Sequence, residues 1–179
     1  EDGKILEYCK IRRRFTILLQ VASRLTACSI SEAGIVASTD DSWILFIKVD
    51  GTKPSGWVLN SNVGGHHHRV VQLIGPTALG WYYAFSTQKL CCFCIVQPER
   101  MSTRNISDLI VASASSSGRY VSILTQQGLK VFTSNLQKKI FSVDVDHAIS
   151  WKMHWHTDAF LILLNAQTHR ILLLRPEDT

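Results

Sequence analysis

Four segments of the chain align with one another without gaps, and this repetition constrains the fold more than any other feature. Each segment has an apolar run, a short polar turn and a second apolar run. The segments are IVASTDDSWILF (35–46), YYAFSTQKLCCF (82–93), VSILTQQGLKVF (121–132) and LILLNAQTHRIL (161–172). Successive segments end 47, 39 and 40 residues apart, measured between Phe46, Phe93, Phe132 and Leu172. Runs rich in aliphatic and aromatic residues at this period predict a repeated unit built on a strand pair.

The rest of each period supplies further candidate strands. An extended run precedes each hairpin: RLTACSIS, HRVVQLIG, DLIVASAS and AISWKMHW. The turn after this run contains Gly or Asp, at which a positive φ costs little; these residues are Gly34, Gly80, Gly118 and Asp158. A more polar run, GWVLNSNV or KKIFSVDV, follows the first and third hairpins, and ERMSTRNI is a weaker substitute in the second period. We therefore predict an all-β chain of four-stranded antiparallel sheets, in which the aligned hairpins form the middle strands.

These repeats resemble those of the WD40-like β-propeller family. The stretch LTACSISEAGIVASTDDSWILFIKVDG carries the likeness, and the positions of the family motif are filled by Ser31, Gly34, Ala37, Ser38 and Asp41. Val49-Asp50 stands where Trp-Asp is usual, and no repeat has a Gly-His pair before its first strand. The third repeat matches through Ser117, Gly118 and Phe132. The resemblance covers residues 22–175 and implies propeller blades of four antiparallel strands.

The resemblance also implies a division into blades. We expect residues 1–21 to end a preceding blade, and residues 22–63, 64–107 and 108–146 to form one blade each. Residues 147–179 would form an incomplete blade of three strands. A propeller ring has to close, because an open stack leaves apolar blade faces in water. Either RRFTILLQV pairs beside RILLLR to close a four-bladed ring, or the chain is part of a larger propeller of about seven blades. The usual size of the family and the missing initial Met favour the larger ring.

The charge of the chain allows two kinds of macromolecular partner. Its formal net charge is +5, and KIRRRF concentrates Arg12, Arg13 and Arg14 in one short stretch. Such a stretch binds nucleic acid or an acidic protein surface, or its cations protect a solvated strand edge from pairing. We favour the strand-edge interpretation. No apolar run reaches the roughly 18 residues of a membrane helix, so we predict no membrane insertion.

Cysteines and histidines suggest metal sites, but their spacing does not favour them. CCFC (91–94) lacks the second pair of ligands that a structural zinc needs, and five cysteines in all are a poor disulfide framework. Free buried thiols in an intracellular, cytoplasmic protein are the better interpretation. In GGHHHR, His66 and His68 would share one face of an extended segment, with His67 on the other. No carboxylate or thiol is near them in sequence, so we expect an exposed loop rather than a metal site.

Catalytic motifs are absent from the sequence. It contains no phosphate-binding loop, nucleophile elbow or His-Glu-x-x-His motif, so we expect no enzyme activity, cofactor or small-molecule substrate. The tryptophans of WKMHWH (151–156) could stack on single-stranded nucleic acid, but packing between blades is the favoured interpretation.

We predict a protein–protein interaction scaffold, a propeller module that binds other protein subunits of a larger assembly. The alternative is a basic propeller that binds nucleic acid or ribonucleoprotein through KIRRRF together with Arg69, Arg100 and Arg104. A third hypothesis, a propeller enzyme, would place its active site outside this sequence. The candidate interaction surface consists of Arg12, Arg13, Arg14, His66, His67, His68 and Arg69.

Overall fold

The structure, a computed structural model, describes residues 3–41, 43–48, 55–59, 69–97, 100–146 and 150–176. These residues form β-strands joined by turns and short loops, with no α-helix among them. In chain order the strands are β1 Gly3–Cys9, β2 Arg14–Val21, β3 Leu25–Ser31, β4 Gly34–Thr39, β5 Ile44–Lys48, β6 Ser55–Leu59, β7 Val70–Ile74, β8 Trp81–Ser86, β9 Lys89–Cys94, β10 Met101–Asn105, β11 Leu109–Ala114, β12 Tyr120–Thr125, β13 Gly128–Thr133, β14 Lys139–Val143, β15 Trp151–His156, β16 Phe160–Asn165 and β17 Arg170–Leu174.

The strands form sheets whose order follows the chain. Sheet I contains β3–β6, sheet II β7–β10, sheet III β11–β14 and sheet IV β15–β17. β1 and β2 pair with each other as the N-terminal hairpin. All of these pairings are antiparallel. The all-β prediction with four-stranded antiparallel sheets is confirmed, and the first three aligned hairpins are the middle strands of sheets I–III.

The first strands of successive sheets lie side by side. β3 contacts β7, β7 contacts β11, and β11 contacts β15. The Gln72 side chain joins two of these strands, because its Nε2 donates to the Ala112 carbonyl (3.1 Å) and its Oε1 accepts from the Ala112 N–H (3.3 Å). The Ser29 hydroxyl likewise donates to the carbonyl oxygen of Gly75, which follows β7. We call β3, β7, β11 and β15 the inner strands.

The hydrophobic core lies in the seams between neighbouring sheets. Cys91 and Phe93 of β9 pack in the seam with sheet I, whereas Leu90 and Cys92 of the same strand pack in the seam with sheet III. All four side chains are buried. Because successive side chains of a strand point to opposite faces, a middle strand with a neighbour on each side is apolar throughout. This explains why the hairpins read as continuous apolar runs.

The aligned residues at the hairpin ends differ in two respects from the prediction. Phe46, Phe93 and Phe132 are buried, but Phe46 packs in the seam with the following sheet and the other two in the seam with the preceding one. Phe46 pairs with Val36, whereas the gapless alignment would pair it with Ile35. The turn of this hairpin is one residue longer, and a shift of one residue turns a side chain to the other face. Leu172 is half-buried, because it lies on the last strand of sheet IV.

Glycines occupy three of the four turns that follow the inner strands, as the sequence predicts. Gly34, Gly80 and Gly118 all have positive φ. In the fourth turn the residue with positive φ is Thr157 (φ 60°), so the expectation for Asp158 is wrong by one position. Gly118 also has a steric reason to lack a side chain, because a Cβ there would lie 2.3 Å from Oγ1 of Thr77 in the neighbouring turn.

Candidate functional site

The cations of KIRRRF lie in the turn of the N-terminal hairpin and at the start of its second strand. Cys9 pairs with Arg14, which leaves residues 10–13 to connect the two strands. Arg12, Arg13 and Arg14 are all exposed, and Arg13 adopts a positive φ of 48°. Among the described residues β2 pairs only with β1, and Arg14 is its first residue, so the strand-edge interpretation stays a prediction. Three adjacent guanidinium groups project from one turn into solvent.

The other predicted cations do not form one continuous surface. Arg69 and Arg100 are exposed, before β7 and β10 respectively. Arg104 is occupied in a structural role: its Nη2 donates to the Gln137 carbonyl (2.8 Å), its Nε donates to the Leu136 carbonyl, and its guanidinium lies 4.8 Å from the centre of the Phe132 ring. It therefore anchors a turn of sheet III to β10. The predicted site residues His66, His67 and His68 lie outside the described residues.

The cysteines of CCFC are part of the core. Burial raises the pKa of the Cys91 thiol to about 12 and that of Cys92 to about 11. A thiol with such a pKa stays protonated at neutral pH, and the thiolate is the reactive and metal-binding form. No group of three or more metal-binding side chains occurs within the part of the chain that the structure describes. Cys91 and Cys92 therefore act as small core residues.

Polar groups tie sheet III to sheet IV. The Ser117 hydroxyl and backbone N–H both donate to the Asp158 carboxylate. Burial opposes ionisation of Asp158, but hydrogen bonds from Ser117 and Ser115 together with the charge of Arg119 outweigh it and lower the pKa of this carboxyl. Trp155 donates from Nε1 to the buried Ser122 hydroxyl (2.9 Å) and stacks on Tyr120. The tryptophan face of WKMHWH thus packs between sheets, in agreement with the favoured interpretation.

The other side of sheet IV carries an exposed apolar surface, which we call the outer face of sheet IV. Lys152, Leu164 and Ile171 lie in one cross-strand row, and His154, Ile162 and Leu173 lie in the next. The third row contains His156 and Phe160, and the Arg175 guanidinium lies 4.8 Å from the centre of the Phe160 ring. Ile171 and Leu173 are 64% and 63% exposed. Exposed apolar patches bordered by polar groups are typical of interaction sites.

A second exposed apolar surface lies on the N-terminal hairpin. Leu6 pairs with Ile17, and these two side chains are about half exposed. Phe15, two residues before Ile17, is 67% exposed. The sequence analysis expects an open stack to leave apolar faces of the terminal blades in water, and both surfaces lie on the first or the last of the described sheets. In LILLN and RILLLR both faces of the strands are apolar.

Comparisons with known proteins identify the fold. No protein-family model matches the chain, and no curated protein sequence matches it. Solved structures do match. The WD40 β-propeller domain of Doa1 has a TM-score of 0.67 at 15% identity, over 96% of this chain and 61% of that one. This chain has a WD40-like β-propeller fold.

Two further similar structures bear on the size of this propeller. Apo AztD from Citrobacter koseri has a TM-score of 0.76 at 11% identity, over 92% of this chain and 49% of that one. The computationally designed Ika4 protein has a TM-score of 0.60 at 13% identity, over 87% of this chain and 92% of that one. The chain thus spans about half the length of AztD, as a partial propeller would. The described part of this propeller has no helix with the length and apolar character needed to cross a bilayer.

Proposed function

We propose that this propeller segment is a non-enzymatic protein–protein interaction scaffold, a module of a larger multi-protein assembly in the cytoplasm. The observation that carries the proposal is the WD40-like propeller fold, whose likeness to the WD40 domain of Doa1 extends over 96% of this chain. The outer face of sheet IV does not carry it, because the next sheet of a larger ring would cover that face as sheets II–IV cover the corresponding faces of sheets I–III. The loops at the rims of a propeller lie on a rigid frame, and such positions are suited to binding other proteins.

The titratable groups of the described residues support a non-enzymatic role. Burial raises the pKa of the Cys91 and Cys92 thiols and of the Tyr83 phenol. These groups line the seams of the core. The carboxyl of Asp158 has a lowered pKa because it accepts hydrogen bonds from Ser117. Each of these four shifts follows from packing or from anchoring a turn, whereas a catalytic group needs a shifted pKa in an accessible cleft.

The division into blades belongs to the same proposal. Residues 22–63, 64–107 and 108–146 form one blade each, 147–179 form a three-stranded blade, and 1–21 end a preceding one. Within the described residues β2 pairs with β1 and β17 with β16, so this structure does not contain the pairing that would close a four-bladed ring. A larger ring of about seven blades would cover both terminal faces.

Sedimentation of the 1–179 segment tests this ring proposal. Its exposed terminal faces should make the isolated segment oligomeric or poorly soluble. A stable monomer that unfolds cooperatively would contradict the larger ring.

Binding of nucleic acid is the second candidate, and the exposed Arg12, Arg13 and Arg14 favour it. Affinity for a single-stranded oligonucleotide should then fall steeply with salt, because each neutralised phosphate releases counterions. Replacing the three arginines by Gln should reduce the slope of log affinity against log salt by about two units at roughly 0.7 per contact. The matched control is Lys138→Gln, which removes an exposed cation from a turn of sheet III.

Cross-linking of the full-length protein in cells, followed by purification with nuclease, tests the scaffold. The expected result is a protein cross-linked to defined positions of this chain at constant stoichiometry after nuclease treatment. If nuclease removes every cross-linked protein, the nucleic-acid alternative replaces the scaffold. If no protein is cross-linked in either condition, the scaffold proposal fails.

A further inference from the structure

The turns at one edge of sheet III are cationic. The β11–β12 turn (115–119) and the β13–β14 turn (134–138) share this edge, because neighbouring strands run in opposite directions. The Ser134 N–H joins the two turns by donating to the Arg119 carbonyl (2.9 Å). The turns contain two exposed cations, Arg119 and Lys138, and no carboxylate. We call this edge the cationic edge of sheet III.

The opposite edge of sheet III has the opposite charge. It consists of residues 106–108, 126–127 and 144–146, which precede β11, connect β12 to β13 and follow β14. These residues include no cation and three exposed aspartates, Asp108, Asp144 and Asp146. The charges of the sheet are therefore separated between its two edges rather than mixed.

A groove at the cationic edge combines apolar and cationic side chains. Leu79 of sheet II, Tyr120 and Ile140 supply apolar surface, and Arg119 and Lys138 supply positive charge. The groove has a volume of about 440 Å³, and Leu79 is 57% exposed. A groove of this size accommodates a few side chains of a peptide.

The wall of the groove formed by the β13–β14 turn is held in place from sheet II. Leu136 is buried in the seam between sheets II and III. Arg104 donates to the carbonyls of Leu136 and Gln137, and the Tyr83 hydroxyl donates to the Ser134 carbonyl (3.1 Å). A wall that is already ordered loses little conformational entropy when a ligand binds.

The two cations of the groove have donors available for a ligand. Within the described residues, neither the Arg119 guanidinium nor the Lys138 ammonium donates a hydrogen bond. The Arg119 guanidinium lies 5.6 Å from the centre of the Tyr120 ring, and a guanidinium packed on a ring can still bind a carboxylate through its N–H groups. Arg119 also attracts Asp158, but both oxygens of that carboxylate accept hydrogen bonds from Ser117.

The exposure of the groove does not depend on the number of blades. Sheet III has a neighbour on each side, and its seams with sheets II and IV are filled. Further blades of a ring pack against the free faces of terminal sheets, whereas turns lie at the rims. The groove is at a rim.

Two other occupants match the groove less well. The anionic edge of a second copy would supply carboxylates, but its apolar residues are not exposed, since Val145 is buried and Ile106 is half-buried. Nucleic acid would supply phosphates, but it has no aliphatic side chain to place beside Leu79. Its affinity also depends on contacts to many phosphates, and only two cations line the groove.

We infer that this groove binds an acidic segment of another protein, with an aliphatic side chain beside Leu79 and carboxylates paired with Arg119 and Lys138. This inference rests on the proposed scaffold function and specifies the place and the chemistry of one partner. Charge complementarity supplies specificity, and the apolar side chains supply contact area.

Two fluorescent peptides probe the groove in a binding titration with the full-length protein. One has a central Leu between Glu residues, and the matched peptide has Lys in place of Glu. The Glu peptide should bind more tightly, with an affinity that falls as salt is added. The double variant Arg119→Glu, Lys138→Glu should weaken its binding at least about tenfold. Leu79→Asp should also weaken it, because a carboxylate would then face the Glu side chains.

Charge reversal also provides a test of folding. The double variant should bind the Lys peptide more tightly than the unsubstituted protein does, which an unfolded variant would not. The matched controls are Arg24→Glu, an exposed arginine before β3, and Val96→Asp, an aliphatic residue after β9 that is 84% exposed. Neither lines the groove, so both should leave binding of the Glu peptide unchanged.

Four results would overturn the inference. The first is equal binding of both peptides, and the second is unchanged binding of the Glu peptide to the double variant. The third is displacement of this peptide by a single-stranded oligonucleotide that the double variant no longer binds, because nucleic acid would then be the occupant. The fourth is self-association of the full-length protein that the double variant abolishes, because a second copy would then be the occupant.

A photo-cross-linker in place of Gln137, an exposed residue of the groove, separates this inference from the scaffold proposal in cells. A protein captured there should be lost in the double variant and retained in Arg24→Glu. If the double variant retains every captured protein with undiminished yield, the docking inference fails while the scaffold function stands. If cross-linkers at no position of the chain capture a protein, the scaffold proposal fails whatever the peptides bind.

Discussion

Leu163 and Leu173 lie on adjacent strands of sheet IV but on opposite faces. Leu163 is fully buried in the seam with sheet III, in the cluster that contains Trp151 and Trp155. Leu173 is 63% exposed on the outer face. Replacing each by Ala removes the same atoms from the same sheet. The two variants therefore compare a covered apolar face with an uncovered one.

Leu→Ala removes the equivalent of about three carbon groups, at about 0.8 kcal/mol each when fully buried. The cavity left at Leu163 adds to this loss, so Leu163→Ala should lower the free energy of unfolding by about 3 to 5 kcal/mol. At Leu173 about a third of the side chain is withdrawn from water and solvent fills the space. Leu173→Ala should therefore cost less than about 1 kcal/mol.

Urea unfolding of the 1–179 segment, followed by tryptophan fluorescence, measures both values. Sedimentation first fixes the association state of the segment, and all variants are compared in that same state, because association would stabilise the folded state. Equal losses for the two variants would refute the reasoning, since they would show that Leu173 is covered in the isolated segment. If the unsubstituted segment unfolds in two transitions and Leu173→Ala removes one of them, this would also show that Leu173 is covered in the isolated segment.

Three further predictions concern the seams, and urea unfolding measures each of them. Phe132→Ala should cost about 3 to 5 kcal/mol, because a large buried side chain is lost from the seam between sheets II and III; a loss below about 1 kcal/mol would contradict its burial. Tyr83→Phe should cost about 1 kcal/mol, because the Tyr83 hydroxyl donates to the Ser134 carbonyl at 3.1 Å. The matched variant Tyr82→Phe should be neutral or stabilising, because the buried Tyr82 hydroxyl has no hydrogen-bond partner within 3.5 Å among the described residues; the reverse order would contradict this account. Arg104→Met should cost about 2 kcal/mol through loss of charged hydrogen bonds to a turn of sheet III, and Arg104→Lys should recover less than half of that loss because Lys lacks the planar fork.

The repeat predicts the sheets well because each middle strand is apolar on both faces. Continuous runs such as YYAF and LCCF leave few other folds open, since a strand between two covered faces needs them. The positions of Gly34, Gly80 and Gly118 also follow from the sequence, because a tight turn with positive φ favours glycine.

The seam into which each core side chain points could not be predicted with equal success. Phe46 aligns with Phe93, yet one additional turn residue directs it into the opposite seam. Sequence alignment without gaps assumes equal turns, and the length of a polar turn does not alter the apolar pattern around it. The role of Arg104 was missed for a related reason. Its partners are turn carbonyls more than 30 residues away, which every sequence contains and no side-chain pattern marks.

The individual residues of the exposed apolar surface on sheet IV were the least predictable part. The cations of KIRRRF attract attention as a charge cluster, but the outer face of sheet IV consists of side chains that read as core. Ile171 and Leu173 alternate with Leu172 and Leu174, which pack on sheet III. Whether such a residue is core or surface depends on the presence of a neighbouring sheet, and this is a property of the assembly rather than of the strand.

The contact between Gln72 and Ala112 makes one amide a local reporter of sheet separation. The Ala112 N–H is bonded to a side chain of another sheet rather than to the backbone of its own. Exchange of this N–H therefore requires separation of sheets II and III at their inner strands. It does not require the backbone hydrogen bonds within either sheet to break. If the Ala112 amide exchanges faster than that of Ile123, the residue it pairs with in β12, the sheets separate from each other as rigid bodies. Equal protection would show that the seam and the sheets open in one cooperative step.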